Sequence, residues 1–314
     1  MKKLLISVLT FLCTTTIYAN TIKLVVPVSS GATMDSVARV IAPELGRNLN
    51  KVVVVENIPG AGGALAMRHI VNSDSDGLTL VLVNNGTLNM SPILNIDAGF
   101  SSSSFTSIGL VGTSPLVLVV NTKIPVNNLK ELTEYIANNP NTTSWASPGQ
   151  GTNLHLLGEV LKSKKNLNMV HISYKGMAPA MTDLIGGRVT MLFDVYNPVM
   201  AGFIDANKIR PIAVTGNSRI TTIPNIATVS EQGFSFLEAY AWIGISISAD
   251  TQPNITTQLK AALTNALEEE QTKIKLRAVG LGPTNIKANN AQKFMDSEKT
   301  KWTSIVKNTN LKVE

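Results

Sequence analysis

Between Met169 and Phe193 the chain spells out strand, helix and strand with almost no slack, and this unit restricts the fold more than any other feature. The run Met169 to Tyr174 predicts a strand that ends in Lys175-Gly176. A helix is expected from about Pro179, because a proline's missing N–H has no partner to lose in a first turn. Gly186-Gly187 stops that helix, and Val189 to Phe193 predicts the next strand. A βαβ unit of this kind belongs to a parallel sheet covered by helices.

The same alternation runs through most of the chain. Ile22 to Val28, Val52 to Glu56 and Leu78 to Asn84 are short, nearly continuous apolar runs, as buried parallel strands require. Between them, Val37, Val40, Ile41, Leu45 and Leu49 recur at helical spacing over Asp35 to Leu49, and Ala61 to Val71 predicts a shorter helix. A second series follows Asn121: a helix at Leu129 to Asn138, a strand at Thr143 to Ala146, a helix at Thr152 to Ser163, the βαβ unit, and a strand at Ile209 to Thr215. Residues 216–233 read as turns. The end is helical, with Ile255, Leu259, Ala262, Leu263, Ala266 and Leu267 on one face and a last helix from Ala288 to Val306. Two strand-like crossings, Leu116 to Asn121 and Tyr240 to Ser248, join the two series. The expected architecture is α/β with two lobes, residues 20–121 plus 241–314 and residues 122–240, each a mainly parallel sheet flanked by helices.

The N-terminus reads as an export signal. Lys2 and Lys3 precede the apolar run Leu4 to Leu12, which is too short to span a bilayer, and cleavage is expected after Ala19. Cys13 lacks the small residue before it that lipoprotein processing wants, since Leu12 stands there. Cleavage removes the only cysteine, so the mature chain is expected to have no disulfide or thiol chemistry. The formal charge of +6 falls by two with the loss of Lys2 and Lys3. The remaining basic residues are scattered, without the clustered footprint of a nucleic-acid binder.

Candidate chemistry sits at strand ends. The loops Pro27 to Asp35 and Ser147 to Asn153 each leave a strand, enter a helix, and hold Gly, Ser and Thr but no Lys or Arg. Backbone N–H groups and hydroxyls at a helix N-terminus can hold an anion, and ligands of open α/β sheets sit beyond strand C-termini. Either loop serves equally as a plain turn and N-cap. Asn85 and Thr87, in the polar strand end Asn84 to Thr87, add an amide and a hydroxyl, or a hairpin or cap. Asp194 ends an apolar strand, where it suits either a ligand's ammonium or hydroxyl group or the N-cap of the next helix. Tyr174 and Lys175 suit a place facing a cleft, Lys175 equally a surface ion pair, and Trp242 suits stacking on a ligand or packing in the core. Gly60 to Gly63 fails the dinucleotide fingerprint because Leu65 fills its last glycine position, leaving a tight turn. His69, His155 and His171 have no ligand spacing, so no metal or other cofactor is expected. No Walker sequence or nucleophile elbow occurs, and nothing marks a catalytic residue.

Five blocks taken together resemble the Bug-type periplasmic solute receptors of tripartite tricarboxylate transporters. They are Pro27–Asp35, Glu56–Gly63, Asp76–Leu80, Trp145–Glu159 and Tyr174–Gly187. The resemblance implies a periplasmic-binding-protein (Venus flytrap) fold with the two crossing strands as hinge. It implies a monomer that is not an enzyme, captures a small organic carboxylate in the periplasm and delivers it to a two-subunit membrane permease. Carried over, the family's contacts fall on Ser29, Ser30, Gly31, Ala32 and Thr33, and on Ser147, Gly151 and Thr152, with Asn153 beside them. Asp194 matches a family aspartate near the cleft. The chain departs from the family at Ser29-Ser30-Gly31-Ala32, where Pro-Pro-Gly-Gly is usual, and at Ile58, which replaces an arginine. Dicarboxylate, tricarboxylate, acidic amino acid and aromatic acid all remain open as ligand. A sensory receptor coupled to a membrane kinase and a periplasmic hydrolase are the alternative functions.

Overall fold

The computed structural model describes residues 21–95, 97–140 and 142–308; the export signal and its cleavage position lie outside them. The first series forms β1 (Thr21–Val26), α1 (Thr33–Leu49), β2 (Val52–Asn57), α2 (Ala64–Val71) and β3 (Thr79–Val83). β1 pairs in parallel with β2 and β3, so Leu24, Val25, Leu80 and Val81 are wholly buried between helices on both faces. That two-sided burial is why these runs are continuously apolar rather than alternating. α1 turns Val37, Ala38, Ile41 and Leu45 to one face of the sheet, while Met67 and Ile70 of α2 cover the other.

β4 (Phe105–Asn121) is the spine of the molecule. The sequence suggested a strand only from Leu116, but β4 starts eleven residues earlier. Gly109, Gly112 and Pro115 interrupt its β-branched pattern, and bulges shift its register at Ser107/Gly109 and Leu110/Gly112. Gly112 is required by close approach: a Cβ there would lie 2.4 Å from the Gly282 carbonyl oxygen. The pairing partner changes at Pro115–Leu116. Before it, β4 pairs antiparallel with β9 (Tyr240–Ser248), which also pairs antiparallel with β3. After it, β4 pairs antiparallel with β7 (Met191–Val195) and β8 (Ile209–Val214). Residues 116–121 therefore hydrogen-bond within the second sheet, and Asn121 is buried there with its amide on the Leu184 carbonyl.

The second lobe carries α3 (Leu129–Asn138), β5 (Ser144–Ser147), α4 (Asn153–Lys165), β6 (Val170–Ser173), α5 (Met177–Gly186) and α6 (Pro198–Asp205). β5 pairs in parallel with β6 and β7. α5 begins two residues before the expected Pro179, which is tolerated because the first four N–H groups of a helix lack partners inside it. Gly187 ends α5 in the left-handed region at φ 78°. The C-terminal part forms α7 (Pro253–Glu268), α8 (Glu270–Ala278) and α9 (Ala288–Asn308). α9 crosses both lobes: Ala291 and Met295 pack on the first lobe's core, Trp302 and Val306 on the second's. Buried Glu298 joins them, accepting from Trp242 Nε1 at 3.3 Å and Trp302 Nε1 at 3.0 Å. The lobes are thus linked by α9 as well as by β4 and β9.

Candidate binding cleft

The loop after β1 is tied down by Asp35, in the first turn of α1. Its Oδ2 accepts the Gly31 N–H at 2.8 Å and the Ser30 hydroxyl at 3.4 Å, and its Oδ1 accepts Asn57 Nδ2 at 3.0 Å. The Arg39 guanidinium, with Nε 3.0 Å from Oδ2, and then the Gly31 N–H hold this buried carboxyl well below the usual carboxylate range. Ser30, Gly31 and Ala32 accordingly serve the helix start, and none of the three reaches the cavities below.

Beyond β3, Asn84 Oδ1 accepts the Thr87 N–H at 2.9 Å and Thr87 Oγ1 accepts the Asn84 N–H at 3.1 Å. This reciprocal cap starts a π-helical turn over Asn85–Met90, in place of a hairpin. Asn85, 3 % exposed, accepts Asn89 Nδ2 at 3.1 Å, which leaves its own Nδ2 without a protein partner. A buried amide left this way costs about 1–3 kcal/mol unless something else accepts from it.

In the second lobe, Thr152 is the N-cap of α4: its Oγ1 accepts the His155 N–H and donates to the Gly149 carbonyl at 2.8 Å. Gly151 needs its glycine, with φ at 74° and Leu94 Cδ1 of the first lobe only 2.4 Å from where a Cβ would stand. Its N–H is received by His155 Nδ1 at 3.0 Å. Ser147 is fully buried, bonded to His171 and the Gly149 carbonyl, and does not border the cavities below. Tyr174 turns to α5, donating to Asp183 at 2.8 Å, and Lys175 is an exposed residue away from the cavities.

Between the lobes lies a cavity of about 460 Å³, bordered by Thr33, Met34 and Asn85 of the first lobe and by Thr152, Asn153 and Asp194 of the second. Trp242 of β9 borders it as well. Asn84, Gly86 and Thr152 also line an adjoining cavity of about 620 Å³, together with Ser29, Gly60 to Gly63, Thr87 and Gly151. Among the described residues neither cavity is bordered by Lys, Arg or His. Among the described residues Asp194 is the one carboxyl bordering them. Its Oδ1 accepts the Val195 N–H at 2.7 Å, and burial pushes its pKa up to about 7. At neutral pH the group is therefore divided between an anion and a neutral acid able to donate a hydrogen bond.

Of the sequence candidates, Ser29, Thr33, Asn85, Thr87, Gly151, Thr152, Asn153 and Asp194 come together around these spaces. Met34, Leu154 and Met177 border them without having been singled out, because an apolar side chain beside a polar loop reads as core. Gly60 to Gly63 does form a tight turn, with a Cβ on Gly63 falling 2.6 Å from Thr87 Cγ2, and it also forms a cavity wall. Its place at a strand-to-helix junction was the available signal.

The chain matches the family model described as the tripartite tricarboxylate transporter family receptor over residues 37–311. It is 28 % identical to protein BugT of Bordetella pertussis, across 94 % of this chain and 91 % of that one. Among solved structures it resembles periplasmic binding protein BugD, with TM-score 0.75 and 29 % identity across 93 % of this chain and 98 % of that one. It also resembles Rpa4515 of R. palustris, solved with adipate, with TM-score 0.78 and 26 % identity across 92 % and 97 %. With these likenesses covering nearly every described element, the two-lobed α/β architecture is that of a periplasmic binding protein, and the chain belongs to the tripartite tricarboxylate transporter receptor family.

Proposed function

We propose that this protein captures a small organic carboxylate between its lobes in the periplasm and hands it to a two-subunit membrane permease, without catalysing a reaction. The observation that carries the ligand class is a cavity bordered by both lobes, with Thr33, Asn85, Thr152 and Asn153 on its border and, among the described residues, no cationic side chain. A carboxylate suits such a border, because neutral donors at the helix start of α4 are oriented before it arrives. The adipate bound by Rpa4515 supports a dicarboxylate as first probe. The neutral fraction of Asp194 would donate to the ligand's second polar group, favouring acids that bring an acceptor to both ends. Because contacts from both lobes are available only when the lobes are together, ligand favours the closed form.

Mass spectrometry of protein purified without added ligand, followed by calorimetry with adipate and a panel of mono-, di- and tricarboxylates, tests the reading. Saturable binding of one acid is expected, at unit stoichiometry. Ester or amide turnover in the same samples, or no carboxylate binding by protein proven ligand-free, would defeat it. Delivery is tested separately by asking whether the receptor stimulates adipate uptake into vesicles holding a two-subunit permease of the same transporter family.

A further inference from the structure

Behind the glycine-rich loop of the second lobe three rings stack. The His155 and His171 centroids are 3.9 Å apart with planes inclined by 22°, and Trp145 lies 5.0 Å from His171. The stack fixes the orientation of His155, which is 2 % exposed. The Gly151 N–H points at His155 Nδ1 from 3.0 Å. A backbone amide only donates, so Nδ1 carries no proton and the neutral ring carries it on Nε2. Glu159 Oε1, one helical turn along α4, lies 3.5 Å from Nε2, the place for the carboxylate that selects this tautomer. The backbone N–H of His155 goes to Thr152 Oγ1. Two successive loop residues, both bordering the cavities, are therefore fastened to one histidine. The loop's other end is fastened to the second histidine, with Ser147 Oγ 2.8 Å from His171 Nε2.

We propose that His155 is a positioning residue of the carboxylate site: through Nδ1 it holds Gly151 in its left-handed conformation and so sets where Gly151 and Thr152 meet the ligand, without touching the ligand itself. The functional part of this rests on the carboxylate reading above; the structural part does not. An imidazolium has no acceptor at Nδ1, so the tie to Gly151 requires the neutral ring.

Two isosteres separate the ring's nitrogens. In His155→Asn the amide oxygen occupies the place of Nδ1 and still accepts from Gly151; in His155→Gln it reaches toward Nε2 and leaves Gly151 unpaired. Amide exchange at Gly151 is expected to be slow in the wild type and the Asn variant, and at least about tenfold faster in the Gln variant. Adipate affinity should change by less than about threefold in the Asn variant and fall by about tenfold or more in the Gln variant, the loss of one hydrogen bond's worth of order. The wild-type ring ¹⁵N spectrum should show an unprotonated Nδ1. A proton on Nδ1 at neutral pH, or equal Gly151 exchange in the wild type and the Gln variant, overturns the proposal. The ring spectrum needs no variant, so it decides even if the substitutions fail to fold. If adipate does not bind at all, the carboxylate reading fails while exchange and ring spectrum still test the role of His155.

Discussion

Replacing Asp194 by Asn should make the protein more stable at neutral pH and remove part of its pH dependence. Burial raises the folded-state pKa of this carboxyl from 3.8 to about 7. The folded protein therefore keeps a proton that the unfolded chain releases, and between those values the unfolded state binds fewer protons. Stability from this group is complete below the unfolded pKa and is lost as pH rises through the folded one. A gap of roughly three units at 1.36 kcal/mol each sets a ceiling of about 4 kcal/mol, which solvent entering the cleft will lower. Asparagine keeps the acceptor for the Val195 N–H and never ionises. Urea denaturation of both proteins from pH 4.5 to 8 measures the effect. The wild type should lose ground to Asp194→Asn steadily across that range, by about 1–4 kcal/mol in total. Asp35, Asp183, Glu159 and Glu231, all shifted downward, act in the opposite sense and at lower pH, and they cancel in the difference between the two proteins. A wild-type-minus-variant difference that stays constant with pH would refute the reasoning.

Ionised Asp194 also repels an anion, so adipate should bind the wild type more tightly at pH 6 than at pH 8 by calorimetry, while Asp194→Asn shows a flatter profile. Asn85→Ala removes an amide from the cavity border and breaks its bond with Asn89, and should weaken adipate binding by about tenfold, the equivalent of about 1.4 kcal/mol. Gly151→Val should be worse than Thr152→Val, and Leu94→Ala should recover part of the loss because Leu94 occupies the space a Cβ would need; a double-mutant cycle measures that coupling. Trp302→Ala should cost about 3–5 kcal/mol of unfolding free energy in urea, since the side chain is wholly buried on the second lobe's core.

Most of the fold was legible because buried parallel strands and amphipathic helices leave opposite periodicities in the chain. β1, β3 and α1 are found where their apolar runs stand. The first half of β4 was not, because glycines forced by close approach and a proline at the change of sheet imitate a loop. α8 escaped because few of its residues are buried, and only Thr272 and Leu276 mark its inner face. At the cleft, loop composition named the right segments but could not sort the residues within them. Whether Ser30 faces solvent or Asp35, whether Tyr174 turns to the cleft or to Asp183, and which end of the Asn85 amide is satisfied depend on partners 5, 9 and 4 residues away. Those partners become visible only once the backbone is placed. The same holds for His155 and Gly151, whose bond is local but whose meaning depends on β6 supplying the stacked ring.

The threading of β9 bears on how the polypeptide reaches this shape. In sheet order β9 lies between β3 and β4, although among the described residues it is the last strand made. The strands of the second lobe are all present once Val214 has been synthesised, whereas the first lobe must keep a gap open until Ser248 arrives. During that interval the edge of β3 is bare, and Val81, Leu82 and Val83, all without exposure in the finished protein, offer unpaired backbone on an apolar strand. An edge of that kind accepts wrong partners readily, so a chain truncated before Tyr240 should aggregate instead of giving half a receptor.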